Sequence, residues 1–354
     1  ELDSSDNLYF VTMRHKVAAC ALSAVATIML ASCSTPEKNS DGEAIVMGNA
    51  TPAESPRSGS EDYRVEGIAS ATDTSVAGDV LAVRTPDGLL VGTQETIAAG
   101  EAPSLSIPSE CGHLSAQGST FIVACGTTIY SIDAANPTLD NARTTDKPMD
   151  TATMTTSGEI VAGSSTSGDV SVFRTSGTVD TFRVSDKTTK IVSVPHNGNP
   201  DGVALINKED TTIHGVDWTS NKPGPTLRVG LGVGSLAAGE DDVVFASDTT
   251  GDQLAVYTVS GAIRLHQLHP VDRSPYALAW DKKNKVVWVS STGTNTLVAY
   301  DISSGVPVKK GSLPSAANIN SMSTRNDGAL VTASASEGLS IIPADVVSAA
   351  LSEG

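Results

Sequence analysis

Cysteine and histidine are the side chains here best suited to covalent, metal or proton-transfer chemistry, and they are few: four Cys, at 20, 33, 111 and 125, and six His. Cys111 and Cys125 have no His or Cys companion at zinc-ligand spacing, and nothing resembles the C-x-x-C of a redox centre. A hairpin centred near Gln117-Gly118 would set 111 opposite 125 at about 4.5–5.5 Å, a separation that suits a structural disulfide. His266 and His269 are spaced as on a helix but fall in a strand candidate, where they face opposite sides. His113, His196 and His214 are scattered; in a ring-shaped fold such residues can converge on the axis, although most histidines near turns are ordinary satisfied polar groups. Asp248 and Asp252 flank a turn lacking the spaced acids and closing Glu of a calcium loop, so it reads as a polar hairpin turn whose Asp bonds its own backbone. Gly230–Gly234, GLGVG, lies between two strands and reads as a turn, not a phosphate cradle. There is no G-x-S-x-G, H-E-x-x-H or Walker loop, and no G-x-G-x-x-G opening a helix. No catalytic residue, metal site or cofactor is assigned.

Such residues need a scaffold, and the clearest stretch of it is Lys285–Gly305, KVVWVSSTGTNTLVAYDISSG. Its two β-branched and aromatic runs around a polar turn describe a hairpin. The pattern recurs at a period of about 40 residues. It appears at Phe121–Cys125 with Thr128–Asp133, Ile160–Ser164 with Asp169–Arg174, and Val203–Ile206 with Thr212–Trp218. It returns at Val243–Ser247 with Gln253–Val259, and at Leu330–Ser334 with Leu339–Pro343. The first unit is the most degenerate, with strands expected over Asp79–Arg84, Leu89–Thr93 and Thr96–Ala99. A further strand candidate precedes each hairpin and another follows most of them. Four antiparallel strands per unit predict an all-β fold, a seven-bladed β-propeller whose blades bury their faces against one another. The last unit offers three strands and then a helical tail over Asp345–Leu351. Tyr63–Ile68 is a spare strand, expected to complete the last blade and close the ring.

That architecture directs attention to one mouth of the central channel, where the connections into the innermost strands gather. They include Glu110–His113, Pro148–Asp150, Arg273–Tyr276 and Asn318–Asn320. Asp150, Arg273, Tyr276 and Asn320 are the candidate binding residues of a polar rim. The net charge of −17, from 40 acidic and 23 basic residues, repels phosphate backbones and excludes nucleic acid as the expected partner. A monomer is expected. The three Trp, at 218, 280 and 288, all sit in strand candidates, so no ring of tryptophan docking motifs is present.

The N-terminus carries a different signal. Residues 1–12 precede Met13 and match neither core nor signal, so they are read as an upstream extension. Arg14, His15 and Lys16 form a basic segment before the apolar run Val17–Leu30, too short for a membrane span of about 20 residues. Leu30-Ala31-Ser32-Cys33 resembles the lipobox of bacterial lipoproteins. By that resemblance residues 13–32 are a signal peptide, and Cys33 takes a diacylglyceryl thioether and becomes the mature N-terminus. The anchor would be acyl chains in a leaflet, on the extracytoplasmic side of the cell membrane. Cys20 lies inside the apolar run. Residues 33–62, rich in Ser, Pro, Glu, Asn and Gly, read as the lipidated Cys and a flexible tether with a reach of roughly 30 Å. Residues 63–354 hold the propeller.

The stretch Asn295-Thr-Leu-Val-Ala-Tyr-Asp301, with its preceding apolar run and terminal Ser-Gly, also resembles the YVTN-type repeat of bacterial surface-layer and quinoprotein-amine-dehydrogenase-like propellers. The order of lipobox, tether and propeller is similar to actinobacterial prolipoproteins of the LppL type. The resemblance implies an exported, membrane-anchored lipoprotein whose propeller binds or scaffolds a protein, glycan or small ligand. The alternative is a propeller hydrolase, lactonase or oxidoreductase with its site at the channel mouth.

Overall fold

Strand-forming sequence dominates the structure, a computed structural model that describes residues 46–57 and 62–353. The signal segment 13–32, Cys20 and Cys33 lie outside the described residues. The strands form seven antiparallel sheets arranged as the blades of a propeller. The innermost strands, in chain order, are Asp73–Ala77, Ser115–Gln117, Thr151–Met154, Lys190–Val194, Val233–Ala238, Pro275–Asp281 and Ile319–Thr324. Five blades, the first and the third to sixth, are sheets of four sequential strands.

Blade 2 looks three-stranded only because its middle element, Thr120–Asp133, is continuous. Extended, its 14 residues would span roughly 45 Å. Yet Ala134 N donates to Ser119 O at 2.9 Å, so the element folds back on itself. Gly126, at φ 62°, supplies the left-handed residue the fold-back needs. Blade 2 therefore also has four strands.

The hydrophobic pattern explains the ring. Middle strands such as Gly202–Asn207 and Val286–Ser291 are buried at every position, while outer strands such as Arg264–Pro270 are largely exposed. Apolar side chains collect in seven clusters, one for each pair of neighbouring blades. One of them joins Val331, Ala333 and Leu339 of blade 7 to Leu81 and Val83 of blade 1. An open row of blades would leave that last pair of faces bare; here they bury each other.

Three departures from the sequence reading have local causes. Thr96–Ala99, expected as a strand, lies in the short helix Gln94–Ala98, because the Thr93 side chain accepts from Thr96 N and Glu95 sits in the first turn. Tyr63–Ile68 forms no strand. Its first residues make a single bridge, Arg64 to Ser340, with Val65 N donating to Leu339 O at 2.8 Å and Ile341 N to Tyr63 O at 2.9 Å. The chain then turns inward, with Ile68 N donating to Val65 O. Finally, Val46–Arg57 is not a free linker. Asn49 N donates to Lys208 O at 2.6 Å, Gly48 N to Leu231 O at 2.9 Å and Ala53 N to Ser274 Oγ at 2.8 Å. Ser55 N donates to Asn318 Oδ1 at 3.0 Å, and Asn295 Nδ2 to Pro56 O at 2.7 Å. The segment is a strap over the loops of blades 4 to 7. The C-terminal helix Ala344–Ser352 packs Val347 into the cluster between blades 6 and 7. Among the described residues no helix is long and apolar enough to cross a membrane.

Candidate functional site

In an antiparallel blade, the connection into the innermost strand and the loop between the second and third strands share one face. That face carries the strap over blades 4 to 7 and an open polar cleft over blades 1 to 4. The cleft has a volume of about 350 Å³ and is lined by Asp73, Arg84, Glu110, His113, Asp150 and Ser165, among others.

The cleft is assembled at the starts of the innermost strands. Asp73, the first residue of its strand, is buried. Its Oδ1 accepts from Thr74 N at 2.9 Å and its Oδ2 from Leu114 N at 2.8 Å. His113 Nδ1 lies 3.4 Å from Asp73 Oδ2. Lys190, the first residue of the blade 4 inner strand, donates to Ser235 Oγ of blade 5 at 3.0 Å. Lys208 reaches from blade 4 to blade 6, where its ammonium lies 3.1 Å from Tyr276 Oη and 5.1 Å from the ring centroid. Ser321 of blade 7 accepts from Thr74 N at 3.3 Å. Side chains from blades far apart in sequence thus meet at one mouth.

Arg84 is the partner of Asp73 in the blade 1 ladder. One guanidinium Nη donates to Cys111 O, while Nε and Nη2 are buried with no hydrogen-bond partner. Cys111 is joined to Cys125 by a disulfide with a Cα–Cα distance of 4.2 Å. The bridge pins the chain just before His113. Gly112 is packed so closely on blade 3 that a Cβ there would sit 1.4 Å from Asp150 O, so only glycine fits.

Burial and charge set the protonation states. Burial alone would raise the Asp73 carboxyl, but hydrogen bonding and charge from His113, with Lys190 and Ser321 adding to them, hold it well below the usual carboxylate range. Burial pushes the His113 imidazole down against the pull of Asp73. The His113 side chain is 41% exposed, but it opens into the protein-lined mouth, so desolvation still dominates. Burial lowers the Lys190 ammonium to about 8, with Asp73 opposing and Lys208 adding repulsion.

The sign of that last shift gives a stability test. An unfolded lysine keeps its proton to about 10.4, whereas folded Lys190 releases it near 8. Between those values the unfolded chain binds more protons, so this site's contribution to stability rises with pH. Below 8 both states are protonated and the full cost of burying the charge remains. Wild-type protein is expected to gain stability over Lys190→Met when chemical denaturation is compared at pH 7.5 and pH 10. An unchanged difference between the two proteins would contradict the buried ammonium.

The candidate rim residues are dispersed around the mouth. Asp150 lies in the cleft, its Oδ2 accepting from Ser165 N at 2.6 Å and Ser165 Oγ at 2.7 Å. Tyr276 meets Lys208. Arg273 is exposed beside Gly293, and Asn320 Oδ1 accepts from Ala335 N at 3.1 Å, so neither joins the cleft. Asp73, Arg84, Lys190 and Lys208 were not among the sequence candidates. His196 pairs with Asp242 at 2.7 Å in a second cleft on the opposite face, where Trp218 Nε1 also donates to Asp201 O. His214 is buried near Ser185, Thr212 and Thr226 hydroxyls. Asp248 accepts from Gly251 N, as a turn Asp does, and also from Leu231 N and Gly232 N, which fixes the connection into blade 5.

Seven stacked antiparallel blades with a polar axial mouth define a β-propeller. No protein-family model and no curated protein matches the sequence. Solved structures do match the fold. The WD40 repeats of RRP9 superpose with a TM-score of 0.64 at 13% identity, covering 82% of this chain and 99% of that one. A streptogramin B lyase superposes at 0.61 with 11% identity, covering 79% and 95%. The WD40 propeller domain of Doa1 gives 0.58 and 12%, covering 81% and 95%. These likenesses concern the fold alone.

Proposed function

We propose that this chain is an exported bacterial lipoprotein, anchored through acyl chains on Cys33, whose propeller is a binding module that takes its ligand or partner at the strapped face of the channel. The observation that carries the binding reading is the convergence of Asp73, Arg84, His113, Asp150 and Thr189, from four blades, on one open cleft, with the Lys190 charge felt at Asp73. Export is supported by the order of basic segment, apolar run and Leu30-Ala-Ser-Cys33, and by the Cys111–Cys125 bond, which persists in oxidising compartments. Use of the fold in protein assemblies has a parallel in a structural neighbour found within a structure of the mitotic checkpoint complex.

In cells, the wild-type chain is expected to incorporate palmitate and sediment with membranes, and Cys33→Ala to do neither. A photo-crosslinking residue at Thr166, exposed on the cleft side, is expected to yield adducts from native membranes that one at Ser260, on the opposite face, does not. Adducts from Ser260 alone would overturn the choice of face. The second reading, a propeller hydrolase, lactonase or oxidoreductase, draws on the Asp73–His113 pair, since a carboxylate beside a neutral imidazole is what a general base needs. Turnover of an ester or lactone panel that vanishes in His113→Gln would decide for it.

A further inference from the structure

We infer that the mouth cleft binds a small ligand through an oxyanion, a carboxylate or phosphate group, received by the Nε/Nη2 edge of Arg84. The ammonium of Lys190, close enough to act on Asp73, adds positive charge beside the cleft. The inference rests on the reading of this mouth as the ligand site and names the chemistry it takes.

The unmet hydrogen-bonding capacity around the mouth is that of donors. The acceptors are engaged: Asp73 takes Thr74 N and Leu114 N and faces His113, and Asp150 takes both groups of Ser165. The donors are not. Arg84 Nε and Nη2 are buried without a partner, and Lys190 has three N–H groups and a bond to Ser235 Oγ. A buried, unpaired guanidinium edge is costly to keep, and burial lowers Arg84 despite the nearby Asp73 charge. Nε and one Nη form a planar fork that matches two oxygens of a carboxylate or phosphate. Lys208 adds positive charge behind Lys190, close enough to depress it. Three cations at one mouth run against a chain of net charge −17, so their gathering is local and specific.

The two Arg84 nitrogens reach no solvent as they stand, although the side chain lines the cleft. Ligand uptake therefore turns the guanidinium toward the cleft while Cys111 O, fixed by the disulfide, stays as its pivot. Glu110 sits exposed at the rim, hydrogen-bonded by Ser109 Oγ, and is no obstacle to the inner donors.

The test titrates the full chain with succinate and, separately, with inorganic phosphate, holding ionic strength constant with sodium chloride. Isothermal titration and the thermal midpoint are the readouts. Saturable binding of either anion is expected, weakened tenfold or more in Arg84→Lys, which keeps the charge and loses the fork, and again in Lys190→Met. The anion that saturates identifies the group. Equal binding by wild type and both variants, or a midpoint that responds alike to every salt, overturns the inference. Two variants are used so that misfolding of one leaves the other to decide. Failure of both titrations with Thr166 adducts still present would remove this inference alone, whereas loss of those adducts would remove the binding site itself.

Discussion

Replacing Cys111 and Cys125 together by alanine is expected to lower folding stability by about 3 kcal/mol. The bridge spans 14 positions of sequence, and a closed loop of that size removes about that much freedom from the unfolded chain. Its place in the fold argues against a smaller effect. The blade 2 inner strand, Ser115–Gln117, has only three residues and pairs over three positions, against five in blades 1 and 4. The covalent link substitutes for ladder bonds that this strand lacks. In a domain of this size the thermal midpoint should fall by roughly 6 °C. The same double variant should weaken anion uptake, because Arg84 hangs on the Cys111 carbonyl and His113 follows two residues later. Guanidinium titration of the oxidised wild type against the variant measures the first effect. Coincident midpoints, or free thiols at Cys111 and Cys125 themselves in unfolded, unreduced wild type, would show that the bridge contributes nothing.

The fold was legible because stacking imposes a repeat on the sequence. A strand buried on both faces must be largely apolar, as Val286–Ser291 is over its first four residues, and comparable apolar runs recur in the other blades, as in Val203–Ile206 and Val243–Ala246. The site was less legible because ring closure, not spacing, creates it. Asp73 and Lys190 open their strands and Ser321 is the third residue of its own, and nothing in sequence links them. Their meeting follows only from seven blades sharing one axis. Attention to the connections found Asp150, Tyr276 and the Glu110–His113 segment, but the strongest charges belong to the strands themselves. Arg84 looked like a strand residue because it is one; its side chain reaches past the ladder to a loop carbonyl. The strap has the composition of a linker. Its attachment rests on backbone groups and on Ser55, bonds that composition does not encode.

Gly338→Ala is expected to cost several times as much stability as Gly305→Ala, though both glycines have φ 81°. Alanine in the left-handed region costs about 1–2 kcal/mol at either position. The difference lies in the neighbours. A Cβ at Gly305 meets nothing within 4 Å, whereas at Gly338 it would sit 1.7 Å from the carbonyl oxygen of Ile68. That oxygen belongs to the segment laid on the last strand, so the chain from Tyr63 to Ile68 must lift away. The bonds from Val65 N to Leu339 O and from Ile341 N to Tyr63 O go with it, at about 1 kcal/mol each. Val65 and Ile68 also leave the apolar cluster that joins blade 7 to blade 1. If this short bridge holds the ring shut, Gly338→Ala and deletion of Tyr63–Ile68 should lower the denaturation midpoint by similar amounts, and the two changes together should add little. Equal costs for the two glycine variants would mean that the Ile68 contact carries no energy. A deletion without effect would mean that the apolar seam between blades 7 and 1 closes the propeller unaided.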